Sequence, residues 1–239
     1  MKYRDFGKTG LQISELLFGG GAVGGLLINA PEETRLAALE RATSAGINWI
    51  DTAASYGQGQ SESTLGRLLP QLEQSPYIST KFTINTQSSA SIFEQIEVSV
   101  AASLERLQRD QVTLLQLHNP IGPESRGRML GEDEVLGAGG VLDSLEKLRE
   151  QGLFEHFGIT ALGKPPSVLR VIESGRIASA QVYYNLLNPS AGQALPTNYP
   201  VYDFSGVLQA CVDHGKPQGP LPLTLVHVVF GHCMPSATF

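Results

Sequence analysis

The sequence predicts an α/β fold built on a parallel sheet, either doubly wound or closed into a barrel. Three observations carry this. Short apolar runs recur along the 239 residues, with strand starts roughly 20 to 40 residues apart, six times. Each run is followed by a segment with helical spacing. The composition, 41% hydrophobic and 17% charged, is that of an ordinary globular chain, long enough for one large domain or two small ones.

The elements follow in order. The first strand is expected over Ser14–Gly20 (SELLFGG). Its helix starts late, at Pro31-Glu32-Glu33, and turns Leu36, Leu39 and Ala42 inward. Strand Ile47–Asp51 (INWID) precedes a helix beginning near Ser61. Strand Tyr77–Lys81 (YISTK) precedes one in which Ile92, Ile96, Val100, Leu104 and Leu107 recur at spacings of four, four, four and three. Val112–His118 (VTLLQLH) leads through a long loop to a helix carrying Leu142, Leu145 and Leu148, closed by Gly152 at the C′ position. Phe154–Thr160 (FEHFGIT) precedes PPSVLRVIESG, whose prolines fit a helix start and whose Gly175 fits its stop. Ile177–Tyr184 (IASAQVYY) precedes VLQACVDHG, ending at Gly215.

The stretch Leu17–Gly25 (LFGGGAVGG) contains Gly19-x-Gly21-x-x-Gly24, the spacing of a dinucleotide-binding fingerprint, and Asp51 follows 27 positions later. In a doubly wound nucleotide-binding unit the helix opens within the glycines, so that its N-terminus meets the pyrophosphate. Here LLINAP intervenes and Pro31 marks the helix start. The glycines are therefore read as a tight exit from the first strand, with Gly20 and Gly21 allowing backbone to approach a ligand closely.

The formal net charge of −6 argues against non-specific binding to nucleic acid or to a membrane surface. The N-terminal MKYRDFGKTG lacks the apolar core of a signal peptide, and no apolar run approaches the ~20 residues needed to span a bilayer. Two cysteines, Cys211 and Cys233, cannot build a disulfide framework. A cytoplasmic location is expected.

In a parallel barrel the working residues come from the C-terminal ends of several strands. Asp51 ends the second strand, with Tyr56 five residues on; Lys81 ends the third and His118 the fourth. Singly, each has a structural explanation: a capping acid, a packed aromatic, a snorkelled lysine, a core histidine. Together they offer a specific chemistry. An ammonium beside a phenol stabilises the phenolate and suits it to proton transfer. A buried Lys81 needs a carboxylate partner, for which Asp51 is the candidate. His118 can hydrogen-bond a substrate carbonyl and orient it.

Asp51 and Tyr56 in NWIDTAASYG, Lys81 in STKF and His118 in LLQLHNP resemble the Asp–Tyr–Lys–His tetrad of the aldo-keto reductases. MKYRDFGKTGLQISELLFGGG is similar to that family's N-terminal hairpin and first barrel strand. SESTLGRLL resembles its SE-x-x-LG helix, and FGIT with QVYYNLL its fifth and sixth strands. HNP and GITALG are similar to the sugar or aldose dehydrogenase branch. The resemblance runs from Met1 to about Gly215. It implies a (β/α)8 barrel of the TIM type and an oxidoreductase that interconverts an aldehyde, ketone or sugar-like carbonyl with its alcohol. NAD or NADP would lie extended across the C-terminal rim. Thr160 stands where a serine usually contacts the nicotinamide carboxamide, Ala161 replaces an asparagine found in many members, and Gln181 matches the family's glutamine. The long loops Asn119–Gly140 and Asn185–Asp203 would shape the substrate pocket.

After Gly215 the sequence changes character. Residues 216–239 hold four prolines, no Asp or Glu and no helical period. Two further βα units would need about 60 residues or more at the earlier spacing, so the barrel is expected to be incomplete after its sixth unit. Residues 1–215 then form the barrel domain and 216–239 a Pro-rich tail in which Leu223–Phe230 (LTLVHVVF) supplies one strand beside the sixth. His227, His232 and Cys233, three ligand types in a Pro-rich tail, are weak evidence for a metal site, and no metal is expected. Open edges would invite self-association. The alternative function is a truncated relative with weak cofactor binding, little catalysis and at most an interaction role.

Overall fold

The structure, a computed structural model, describes residues 1–21, 25–204, 206–215 and 226–228. An antiparallel hairpin, β1 (Tyr3–Asp5) with β2 (Gln12–Ser14), comes first. The strands that follow are β3 (Phe18–Gly19), β4 (Trp49–Asp51), β5 (Tyr77–Phe82), β6 (Val112–Leu117), β7 (Ile121–Gly122), β8 (Leu130–Gly131), β9 (Phe154–Ile159), β10 (Ser179–Val182) and β11 (Val226–Val228). Seven of them form one sheet in the order β11-β10-β9-β6-β5-β4-β3, every pair parallel. The barrel strands sit side by side in chain order, without the reversal of a doubly wound sheet. The sheet curls into an incomplete (β/α)8 barrel.

The helices are α1 (Leu26–Asn29), α2 (Glu32–Ser44), α3 (Gln60–Leu68), α4 (Ile92–Leu107), α5 (Glu132–Leu136), α6 (Val141–Glu150), α7 (Pro165–Glu173) and α8 (Val207–Gly215). The long helix α4 forms where the four-residue apolar steps predict it. Ile96, Val100, Leu104 and Leu107 are buried on the sheet, and Ser91 with Glu94 closes a reciprocal capping box at its start. Gly152 and Gly175 stand just past α6 and α7, as expected. A second, smaller core of Phe6, Ile13, Trp49 and Leu114 lies where the hairpin packs on the beginnings of β4 and β6.

Three expectations need correction, and a fourth lies partly outside the described residues. The first barrel strand covers only Phe18–Gly19, because Gln12–Ser14 is committed to the hairpin and the Ser14 amide donates to the Asn48 side chain at 2.8 Å. Helix does not wait for Pro31: one turn, α1, opens directly after Gly25. The loop over Asn119–Gly140 carries β7, β8 and α5. Phe230 and the other ends of the expected tail strand lie outside the described residues, but Val226–Val228 does pair with β10 as a seventh strand. Gly24, His232 and Cys233 also lie outside the described residues.

The SE-x-x-LG stretch has a clear physical reason. Glu62 on α3 is fully buried; its two oxygens take a hydrogen bond from the Thr80 hydroxyl and one from Arg106 Nε at 2.7 Å. A Cβ on Gly66 would lie 2.2 Å from the Arg106 carbonyl oxygen. Helix propensity favours Ala over Gly by ~1 kcal/mol, whereas overpacking against backbone costs about 1–3 kcal/mol. Gly66→Ala should therefore lower stability in urea unfolding. Equal or higher stability would show that α4 can yield at this contact.

Candidate active site

Asp51, Tyr56, Lys81 and His118 meet at the C-terminal rim, because their strands are adjacent and in register. Asp51 pairs with Ser79 across β4 and β5, Lys81 with Gln116 across β5 and β6, and the His118 amide donates to the Phe82 carbonyl at 2.8 Å. Tyr56 comes from the turn between β4 and α3, where Gly57, Gln58 and Gly59 all take positive φ.

Lys81 is 1% exposed. An ammonium has three N–H donors and no acceptor, and each finds a partner. Nζ lies 2.7 Å from Asp51 Oδ2, 2.7 Å from the Thr52 carbonyl and 3.3 Å from the Tyr56 hydroxyl oxygen. Burial pushes the Lys81 pKa down, but the Asp51 carboxylate and Tyr56 outweigh it, and the net direction is up. Asp51 is braced in turn: the Ser79 hydroxyl donates to Oδ1 at 2.7 Å and accepts from the Trp49 indole at 3.0 Å. Since the Tyr56 oxygen accepts from Lys81, its own proton remains available for donation.

The His118 ring meets Tyr56 edge-on at 6.2 Å between centroids. Its pKa is lowered to about 4, chiefly by burial and then by the Lys81 ammonium, with Arg128 adding to the effect against Asp51. His118 is therefore a neutral imidazole at pH 7, able to donate one hydrogen bond.

The expected cofactor residues are placed as follows. The Gly20 amide donates to the Asp51 carbonyl at 2.7 Å, and a Cβ there would lie 2.7 Å from Ser61 Oγ. A Cβ on Gly21 would stand 3.4 Å from the Tyr56 ring. Gly20 is thus required by close packing at the site, not by a helix opening on a phosphate. The register Ala180↔Ile159 sets Gln181 on β10 level with Thr160 at the end of β9. The Thr160 hydroxyl donates to the Leu117 carbonyl at 3.1 Å, which leaves it as an acceptor. Three supporting residues escaped the sequence reading. Ser79 braces Asp51, the Thr52 carbonyl holds Lys81, and Asn119 ties the rim loop to Ile84 just beyond β5. Only the S-x-K spacing of Ser79 and Lys81 on one strand face hinted at the first.

Two outcomes test this electrostatic arrangement. Asp51→Asn strands a buried ammonium and should cost ~3–5 kcal/mol, most of it recovered when Lys81→Met is added. A loss below ~1 kcal/mol in chemical denaturation would mean that Thr52 and Tyr56 suffice. The His118 imidazole should titrate by NMR with a midpoint near pH 4. The unfolded chain holds this proton up to about pH 6.5. His118 thus contributes stability above that pH that is lost as pH falls toward 4; a midpoint above 6 would contradict the burial.

Comparison with known proteins bears on the family and the fold. The family model "Aldo/keto reductase family" covers residues 15–215. L-galactose dehydrogenase of Arabidopsis thaliana is 32% identical over 165 residues, 68% of this chain and 49% of that protein. D-threo-aldose 1-dehydrogenase of a Pseudomonas species is 29% identical over 215 residues, 79% of this chain and 63% of that one. A Pseudomonas aeruginosa structure provisionally assigned to the aldo-keto reductases superposes with a TM-score of 0.65 at 28% identity, covering 90% of this chain and 74% of the other. The chain spans about half to just under two thirds of the curated relatives it matches. With the family model running over most of its length, this chain belongs to the aldo/keto reductase family.

Proposed function

We propose that this protein is an NAD(P)(H)-dependent oxidoreductase that interconverts an aldehyde, ketone or sugar-like carbonyl and its alcohol, with Tyr56 as the acid and base. The observation that carries the reading is the full commitment of the Lys81 ammonium, whose third donor goes to the Tyr56 oxygen. In the reducing direction Tyr56 gives its proton to the carbonyl oxygen, and Lys81 stabilises the phenolate left behind. His118, neutral at pH 7, donates to the same oxygen and fixes the direction of the carbonyl. In the oxidising direction the phenolate takes the proton back.

A reduced nicotinamide, when bound, would supply the hydride and so two electrons to the carbonyl carbon, while the proton comes from Tyr56. Residues at the rim suit an amide-bearing group. Among the described residues Gln181 makes no side-chain hydrogen bond, so its donor and acceptor are both available, and Thr160 keeps its lone pairs. NADP against NAD is not distinguished by these groups. No helix of the described residues is long and apolar enough to cross a membrane, and a cytoplasmic setting fits the free, buried Cys211. The two sugar dehydrogenases among the relatives make aldoses the first substrates to try.

A purely interaction-based role has less support, since it leaves a costly buried ammonium with nothing to do. The test is Tyr56→Phe. Turnover should fall at least ~100-fold on loss of the positioned acid, while dinucleotide affinity, followed by nicotinamide fluorescence, changes little. Equal turnover in the variant and its parent would assign proton transfer elsewhere.

A further inference from the structure

A cleft of about 890 Å³ opens beside His118, walled by the loop around Arg126, Arg128 and Met129, by Lys164 ahead of α7 and by Tyr183. Its charge runs against that of the molecule. The chain carries a formal −6, yet the lining holds three cations, Arg126, Arg128 and Lys164, against one acid, Glu124. Among the described residues none of the three cations is in an ion pair.

The backbone that carries the arginines is held firmly. Buried Asn119 donates through Nδ2 to the Ile84 and Arg128 carbonyls at 2.9 and 2.8 Å and accepts the Ile84 amide at 2.7 Å. Arg126 and Met129 exchange backbone hydrogen bonds at 3.0 Å, and the Thr86 hydroxyl donates to the Gly127 carbonyl at 3.1 Å. Lys164 Nζ stands 5.8 Å from the Tyr202 ring centroid. The loop is thus pinned through its peptide groups while its guanidinium groups stay available. The field of Arg128 already reaches His118, which places the positive wall near the reacting end of the cleft.

We infer that the carbonyl substrate of this protein carries an anionic group, a carboxylate or a phosphate, held by Arg126, Arg128 and Lys164 while its carbonyl end lies at His118. This rests on the oxidoreductase reading above and narrows its substrate class. Guanidinium forks match both anions bidentately, and a one-signed cleft concentrates such ligands from solution. A sugar acid or a sugar phosphate fits the site better than a neutral aldose. The three cations are specificity-determining residues; none of them moves a proton.

The experiment has a binding arm and a turnover arm on the full chain. Succinate, inorganic phosphate and neutral 1,4-butanediol are titrated separately while the His118 imidazole signals are followed by NMR. Succinate, phosphate or both should shift them, more weakly as salt is added, and butanediol should not. The double variant R126Q/R128Q should weaken anion binding at least ~10-fold, whereas Tyr56→Phe should leave it unchanged. Which anion binds separates the carboxylate from the phosphate source. In the turnover arm, succinic semialdehyde is compared with butanal, and the charged aldehyde should show the lower KM, by ~10-fold, an advantage lost in the double variant. Equal binding of butanediol and the anions would overturn the inference. So would a double variant that weakens the dinucleotide and leaves the anions unaffected, since the arginines would then belong to the cofactor. Arginine-dependent anion binding without turnover of either aldehyde would uphold the anion site and overturn the hydride-transfer reading alone.

Discussion

The site depends on one buried charge. Removing an ammonium from water costs several kcal/mol even after the protein relaxes, and Lys81 is 1% exposed. The charge is tolerable only if every N–H finds an acceptor, which needs Asp51 and the Thr52 carbonyl from the end of β4 and the Tyr56 oxygen from the turn beyond. That requirement fixes the register of β4 on β5, the presence of Ser79 to hold the far oxygen of Asp51, and the course of the turn before α3. A hydrogen-bonded row from the Trp49 indole through Ser79, Asp51 and Lys81 ends at the Tyr56 phenol, the acid and base of the proposed reaction. Fully satisfied networks of this kind are rigid, because any displacement leaves a buried polar group unpaired.

The same charge shapes its surroundings. With the ammonium nearby and little water, His118 stays neutral at pH 7 and serves as a hydrogen-bond donor rather than as a second cation. The glycines just after the first barrel strand pack close: Gly20 is closed in by Ser61 and the Asp51 carbonyl, and Gly21 lies against the Tyr56 ring. On the other side Asn119 fastens the rim loop to the segment after β5, beside arginines that form no ion pair among the described residues. Tyr56, His118 and the cationic loop therefore share one rim.

Much of this was legible in the residues. The apolar steps of α4 and the runs that became β5, β6 and β9 carry strong period signals, and a charged residue at the end of a buried strand is costly enough to stand out. What escaped reading was set by contacts between distant residues. Ser14 looked like the start of a barrel strand because nothing local shows that it pairs with Tyr3. The single turn of α1 is too short for periodicity to reveal, and it changes the setting of the glycine stretch without restoring a phosphate-binding helix. Asn119 reads as a loop residue, although it bridges two loops 35 positions apart. The Thr160 hydroxyl is committed to the Leu117 carbonyl, a limit on its cofactor contact that only the neighbouring strand imposes.

The central claim is that a hydride passes directly to a carbonyl carbon at the rim built on Lys81. Isotope tracing tests it most directly. The chain is supplied with reduced dinucleotide deuterated at the transferring carbon and with a carbonyl substrate, and the alcohol is analysed by mass spectrometry and NMR. The account predicts one deuterium per molecule, bound to the former carbonyl carbon and absent from the solvent. An alcohol formed without label, or no alcohol from any neutral or anionic carbonyl tried, would contradict it.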